Sequence, residues 1–362
     1  MIITDLENSG KVQEICNECP TFTCRFVIDA ELDGWASWSY ELLYPAPVSH
    51  HAVGIPDLHR TKSIDPMLII FTSGTTGEPK MVLHNQSFPL GHIVTARFWQ
   101  DIQHNDLHFT VSDTGWAKCA WGKIFGQRIE GACIFVYNSK GMFNETEVLP
   151  LLEKYEVTTF CCPPTIYRIL ILADLDRFDL SALRHCTSAG EPLNPEVIRV
   201  WKEGTGLTIC EGSGQIETAC CVGAFPCLES HTGSMGKPSP GWDVQIHDDE
   251  EKPVGVREEG RLAISCNSRP PGLIVEYLDN PEENEKSFVN DWYYTGDKAY
   301  MDEDGFYWFI GRDDDVIKSS GYRIGPFEME SALIEHPAVQ EAAVVSSTDR
   351  IRGLIVKAFV VS

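Results

Sequence analysis

The residues with the clearest chemical potential lie in the stretch FTSGTTGEPK, from Phe71 to Lys80. Thr72, Ser73, Thr75 and Thr76 bring hydroxyl donors, Gly74 and Gly77 let the backbone curl its N–H groups inward, and Lys80 adds a compact charge. Such a set suits capture of an anion, phosphate above all, and a polar hairpin turn is the equally available alternative. It is not a Walker loop, because the spacing is Gly74-x-x-Gly77-x-x-Lys80 and strand-like runs flank it on both sides. Other candidates are ambiguous one at a time. Asp297 after Thr-Gly reads alone as a turn residue, Glu217 as a surface acid, and Asp313 to Asp315 as a solvated loop. No Gly-x-Ser-x-Gly elbow and no His-Glu-x-x-His motif is present, so nothing points to a serine nucleophile or a zinc protease site.

These residues need elements to hold them. MLIIF (67–71) suits a short buried strand before the loop, and MVLH (81–84) a second strand after it. Downstream, GACIFVY (131–137) reads as strand, EVLPLLEKY as helix, VTTFCC as strand and PTIYRILILADL as helix. Asn194, Pro195 and Glu196 form an N-terminal cap, with Gly204 expected just past the helix end. This alternation predicts an α/β sheet with crossover helices. After Gly233 the pattern turns β-rich, with DVQIHDD, RLAIS and a hairpin turning at Asp304-Gly305. GRDDD (311–315) breaks the apolar pattern as a linker or hinge. GPFEMESALIEH then reads as an amphipathic helix closed by Pro337, and AVQEAAVVSS and LIVKAFVVS as strands of a small α+β domain. Residues 1–60 are aromatic-rich and irregular, reading as loop and short elements more than as a self-contained fold.

A net charge of −24 opposes a nucleic-acid footprint, which requires clustered Lys and Arg. No apolar run is long enough for a membrane-spanning helix. MIITDLENSG resembles neither a signal nor a transit peptide, which leaves a cytoplasmic location as the expectation. The 13 cysteines, an odd count, point to reduced thiols; Cys16 and Cys19 form a lone CxxC, and the pairs Cys161-Cys162 and Cys220-Cys221 read as small core side chains.

Six stretches occur in order: TSGTTGEPK (72–80), DTGWAKCAWGKIFG (113–126), SAGEPLNPEV (188–197), EGSGQIET (211–218), YYTGD (293–297) and GRDDDVIKSSGYRIGPFEMES (311–331). Together they resemble the core motifs of the AMP-forming adenylating enzymes, and their wording is most similar to the medium-chain acyl-CoA synthetase branch. The resemblance covers residues 61 to 362 and implies an α/β fold. It has a large adenylating domain of α/β sheets with a small β-barrel-like part, followed by the start of a small α+β C-terminal domain. Residues 1–60 would be a remnant of the N-terminal subdomain, 61–312 the AMP-binding core, and 313–362 a partial C-terminal mobile domain. The implied substrates and cofactors are ATP, CoA, Mg²⁺ and a small-molecule carboxylic acid; the oligomeric state is left open.

The resemblance also implies roles. The loop Thr72, Ser73, Gly74, Thr75, Thr76, Gly77 with Lys80 would hold the β- and γ-phosphates, and Gly190, Glu191 and Pro192 would line the adenine. Glu211, Gly212, Ser213, Gly214, Gln215 and Ile216 would wrap adenine and α-phosphate, and Glu217 would ligate Mg²⁺. Asp297 would accept from the ribose hydroxyls, Arg312 would support ribose and phosphate, and Lys80, Glu217 and Arg312 would carry catalysis. Asp314 matches the interdomain hinge, and Ser320, Gly321, Tyr322 and Arg323 the segment that meets CoA. Trp116 and Gly214 are candidates for an acyl pocket, and for Trp116 and Trp121 core packing is as good a reading.

The sequence departs from the pattern at two places in the nucleotide site. Ser213 stands where the family has a Tyr that stacks on adenine, and Ile216 where it has a Thr that bonds the α-phosphate. Loss of a hydrogen bond to a charged group costs about 1.5–3 kcal/mol. Gly214 stands where short-chain relatives carry Trp, which suggests room for acyl groups longer than acetate. The chain is expected to stop before the family's Pro…Gly-Lys tail and to lack most of the N-terminal subdomain. Three functions follow: a medium-chain acyl-CoA synthetase, a nucleotide- or acyl-CoA-binding module without catalysis, or an adenylating enzyme that loads a carrier-protein thiol.

Overall fold

The structure is a computed structural model that describes residues 2–16, 18–19, 24–28, 30–38, 61–72, 79–137, 144–229, 231–267, 269–313, 317–319, 322–334, 336, 338–339, 341–349 and 353–361. The chain forms two compact units, Met1–Arg60 and Thr61–Ser362.

In the first unit, β1 (Ile2–Thr4), β2 (Arg25–Ile28) and β3 (Ala36–Trp38) pair in parallel, and α1 (Leu6–Ile15) crosses between β1 and β2. Asp5 caps α1 by accepting from Asn8 N. Short elements were expected here, and strands of three or four residues, too short to show a period, pair into one sheet.

The second unit begins with β4 (Pro66–Thr72) and β5 (Lys80–Asn85), an antiparallel pair that sets Thr72 opposite Lys80 and so brackets the loop. β4 is a half-exposed edge and not a buried strand; Met67, Ile69 and Phe71 reach solvent. Then α2 (Phe88–Val94) leads into the largest sheet. Its strands are β6 (Leu107–Thr110), β7 (Cys133–Ile134), β8 (Thr159–Cys161), β9 (His185–Ala189), β10 (Ile209–Ser213), β11 (Val222–Gly223) and β12 (Lys237–Pro238). Among the described residues their order is β12-β11-β10-β9-β8-β6-β7, parallel from β10 to β7. β8 and β9 are buried along their length, as expected for strands covered on both faces.

The crossover helices are α3 (Val148–Lys154), α4 (Pro164–Leu170) and α5 (Pro195–Thr205). α4 stops well before the expected Leu175; exposed Leu172 and the turn closed by Ala173 N to Leu170 O end it. α5 starts as read, with Asn194 accepting from Glu196 N, but it ends later: Gly204 lies inside its last turn and Gly206, at φ 77°, forms the cap. Leu149, Leu152, Phe160, Tyr167, Leu193, Ile198 and Trp201 knit this layer into one core.

The β-rich region builds an antiparallel sheet from β13 (Val244–His247) and β14 (Gly260–Ser265), while β15 (Glu276–Leu278) returns to pair with β5. After α6 (Pro281–Ser287), β16 (Phe288–Val289), β17 (Trp292–Met301) and β18 (Tyr307–Arg312) complete it, around Val82, Trp242, Leu262, Ile264, Tyr277 and Tyr293. The chain continues as the hairpin β19 (Ile317–Ser319)–β20 (Tyr322–Ile324), then α7 (Pro326–Ile334) and the long hairpin β21 (Glu341–Asp349)–β22 (Gly353–Val361). Cys161, Cys162, Cys220 and Cys221 are buried free thiols, as the sequence suggested.

Candidate functional site

Thr72 and Lys80 are the described ends of the loop; Ser73, Gly74, Thr75, Thr76 and Gly77 lie outside the described residues. Opening β5, Lys80 sends its ammonium to Glu283 of α6, Nζ to Oε1 2.6 Å, and lies 5.4 Å from the centre of the Tyr277 ring. Asp314, Ser320 and Gly321 also lie outside the described residues; Tyr322 and Arg323 form part of β20, opposite Ser319 and Lys318.

Tyr277 connects Lys80 to the next candidate. Its hydroxyl donates to Glu217 Oε1 at 2.9 Å and lies 3.3 Å from the Tyr293 hydroxyl. Burial pushes the Glu217 carboxyl above the usual range, against the Tyr277 hydrogen bond and the charges of Lys80 and Arg312. From Tyr293 the contacts reach Gln215 Oε1 at 3.4 Å, and Gln215 Nε2 donates to Thr295 O and Asp297 Oδ2, both at 2.9 Å. Arg312 then donates to Asp297 Oδ1 at 2.9 Å and to Thr295 O at 3.1 Å. Tyr293, Thr295 and Asp297 are alternate residues of β17, and the ladder sets Arg312 directly across from Asp297. Asp297 is buried; burial raises its carboxyl while Arg312 opposes the rise. Gly296 between them has φ 77°, a backbone conformation that favours glycine. Five elements thus bring Lys80, Glu217, Gln215, Asp297 and Arg312 into one polar array.

The 190–193 and 211–217 segments meet through Glu211, whose carboxylate accepts from Leu193 N at 2.9 Å. Gly190 sits at the end of β9, and Glu191 is exposed with a 3.5 Å contact to Arg168. Gly212 packs on Trp99, where a Cβ would lie 2.4 Å from the indole. Gly214 is small for a local reason: a Cβ would lie 2.4 Å from Ala219 O, so a larger residue there demands a backbone shift. Ser213 is in β10, and its carbonyl accepts from Cys221 N. The Ile216 side chain packs against both the sheet core and the cluster of Trp99, Ala117, Trp121, Cys161, Ala189, Cys220 and Phe225. Trp121 belongs to that cluster, 5.8 Å from Trp99, whereas Trp116 is 62% exposed.

Sequence reasoning missed several residues of this region. Lys118 is buried and donates from Nζ to Ala189 O, beneath Gly190. His84, fully buried, hydrogen-bonds through Nε2 to Ile216 O at 2.8 Å; since a carbonyl only accepts, Nε2 carries the proton, and burial lowers the imidazole pKa to about 4. Tyr277, Tyr293 and Glu283 complete the array. Lys118 carried a signal, as a lone Lys between apolar residues in DTGWAKCAW, and Tyr293 opens the motif YYTGD; His84, Tyr277 and Glu283 depend on contacts distant in sequence and carried none.

The family model described as AMP-binding enzyme matches residues 2–272, and that described as AMP-binding enzyme C-terminal domain matches residues 328–362. The chain is 45% identical to the acyl-coenzyme A synthetase ACSM3, mitochondrial, of Mus musculus and 46% identical to ACSM5, mitochondrial, of Homo sapiens, in each case over 99% of this chain. It spans 61% of the length of these curated relatives. Among solved structures it resembles the anthranilate CoA ligase AuaEII in complex with anthranoyl-AMP, with a TM-score of 0.86 and 30% identity over 99% of this chain and 67% of that one. A Brucella canis acyl-CoA synthetase matches with a TM-score of 0.74 and 34% identity, over 99% and 64%. The cytoplasmic location expected from the opening residues is overturned, because the relatives are named as mitochondrial proteins. With motifs, fold and array in agreement, and three quarters of its length matched by one family model, the chain belongs to the AMP-binding enzyme family.

Proposed function

We propose that this chain is the larger part of an AMP-forming acid–thiol ligase acting on a carboxylic acid of medium chain length. A substrate carboxylate attacks the α-phosphorus of ATP, the bond to the β-phosphate breaks, and pyrophosphate leaves. The CoA thiol then attacks the acyl carbonyl, and AMP departs. The chemistry needs positioning and charge stabilisation more than a protein nucleophile. The observation that carries the reading is the array joining Lys80, Glu217, Gln215, Asp297 and Arg312. Lys80 with the 72–77 loop would hold the leaving phosphates, Asp297 the ribose hydroxyls, Gly190 to Pro192 the adenine, and residues 320–323 the CoA. Trp116, which is 62% exposed, and Gly214 would border the acyl chain.

Glu217 would hold Mg²⁺, which, when bound, neutralises charge on the phosphates. Its carboxylate oxygens are hard donors of the kind Mg²⁺ takes. Mg²⁺ is commonly held by one or two carboxylates together with substrate phosphates and water, so Glu217 would suffice as its protein ligand. On this reading residues 61–312 form the adenylating core, residues 313–362 the first part of a domain that swings about Asp314, and residues 1–60 the last part of an N-terminal subdomain. The location proposed is mitochondrial, by analogy with the relatives' names.

A second reading, a nucleotide-binding module without catalysis, is favoured by one observation: the Ile216 side chain is committed to apolar packing and has no hydroxyl for an α-phosphate. ATP–pyrophosphate exchange with a panel of straight-chain acids separates the two. Acid-dependent exchange is the expected result; ATP binding without exchange for any acid would reject catalysis by this chain.

A further inference from the structure

Asp297 is held from two sides by the same pattern. Arg312 and Gln215 each donate to the Thr295 carbonyl, and each takes one oxygen of the Asp297 carboxylate, Oδ1 for Arg312 and Oδ2 for Gln215. Thr295 O and Asp297 Oδ2 can only accept, so the Gln215 amide must point its NH₂ group toward them, leaving Oε1 to face the Tyr293 hydroxyl. The two donors differ in what anchors them. Arg312 is the last residue of β18, next to the segment proposed as a hinge, and its side chain is 46% exposed. Gln215 sits in a turn closed by Gln215 N to Thr218 Oγ1 at 2.9 Å and Thr218 N to Gln215 O at 3.2 Å, and it touches buried Tyr293.

The geometry points to Gln215 as the positioning residue of the ribose site: it acts through Asp297, keeping that carboxylate aimed while Arg312 is drawn toward phosphate. This rests on the proposed nucleotide site, in which Asp297 accepts from the ribose hydroxyls. A carboxylate holding two hydroxyls must present its oxygens at a fixed angle. Arg312 holds Oδ1 and Gln215 holds Oδ2, so the two donors together fix the plane of the carboxylate. Gln215 can do this without adding charge beside the phosphates.

Binding of AMP, 2′-deoxy-AMP, 3′-deoxy-AMP and IMP to the full chain, measured by calorimetry, tests this. Gln215→Met keeps the side-chain length and removes the donor. It should erode the preference for AMP over the two deoxynucleotides about tenfold, the scale of a lost hydrogen bond to a charged group, and leave the preference for AMP over IMP intact. In an Asp297→Asn background the same change should have little further effect on ribose preference, since its target is already altered. Gln215→Glu, which sets a second carboxylate against Asp297, should weaken ribose preference at least as much. A wild-type ribose preference that survives Gln215→Met overturns the inference, as does an equal loss for all four nucleotides. A wild-type chain that binds AMP and its deoxy forms equally overturns the ribose reading of Asp297, and the inference with it.

Discussion

Lys298 of β17 forms an ion pair with Asp313, the residue just past β18, Nζ to Oδ1 2.9 Å, each one residue further along the chain than Asp297 and Arg312. The partners are unequally placed: the Lys298 side chain is 4% exposed and that of Asp313 45%. The two single truncations should therefore differ. Asp313→Ala strands a buried ammonium. Removing one partner of a fully buried pair costs about 3–5 kcal/mol. With one partner half in water, about 2 kcal/mol is expected. Lys298→Met strands only a carboxylate that water can solvate and keeps an apolar stem of similar reach, so its cost should stay below about 1 kcal/mol. The double variant should sit close to Lys298→Met, because it leaves no orphaned charge. The bond from Asp313 N to Gly296 O, 2.8 Å, is common to all variants, so the differences report side chains alone. Urea unfolding of the four proteins is the assay. A Lys298→Met cost equal to or above that of Asp313→Ala, or strict additivity in the double variant, would refute the reasoning.

Two further outcomes follow from the same array. Tyr277→Phe deletes the hydroxyl that donates to Glu217 and keeps the ring beside Lys80. ATP affinity measured with Mg²⁺ should fall about tenfold or more, with adenosine affinity unchanged; parallel losses for both would contradict this. Burial raises the Glu211 carboxyl from 4.5 to about 8. The folded chain therefore holds that proton more tightly than the unfolded one. The contribution is complete below 4.5 and is lost as pH rises through about 8, so this group makes stability decline with pH across that window. Glu211→Gln, which can still accept from Leu193 N, should flatten the decline in urea stability; an unchanged slope would reject the assignment.

The sequence revealed what repeats at short range. Apolar runs placed β4, β5 and β8, the Asn194-Pro195 pair started α5, and Asp304-Gly305 turned the hairpin between β17 and β18, while β9, with the polar sequence HCTSA, went unread. Motif order nominated Glu217, Asp297 and Arg312, and the fold brings them into one hydrogen-bonded array. What joins them was hidden, because Tyr277 and Glu217 stand 60 residues apart and Gln215 and Asp297 82. Only sheet packing brings such pairs together. End effects were misread for a related reason: α4 stops at Leu170 and α5 absorbs Gly204, since a helix end depends on which carbonyls find partners as much as on which residue would tolerate the turn. Trp116 and Trp121 look alike in sequence. Only Trp121 lies on the face that meets Trp99, so burial separates them where composition could not.

The charges of the site bear on why its loop has the composition it does. Lys80 is compensated by Glu283, Arg312 by Asp297 and Lys298 by Asp313, while Lys118 meets the Ala189 carbonyl. Lys118 and Lys298 are buried, and a buried charge left alone is prohibitively costly, whereas Lys80 and Arg312 are partly exposed. A phosphate approaching Lys80 meets an ammonium already partly compensated by the Glu283 carboxylate at 2.6 Å, which reduces what that charge alone contributes. On the proposed reading, the surplus has to come from donors that carry no counter-ion, namely backbone N–H groups and hydroxyls. Residues 72–77, Thr-Ser-Gly-Thr-Thr-Gly, are rich in such donors, and a single lysine suffices behind them.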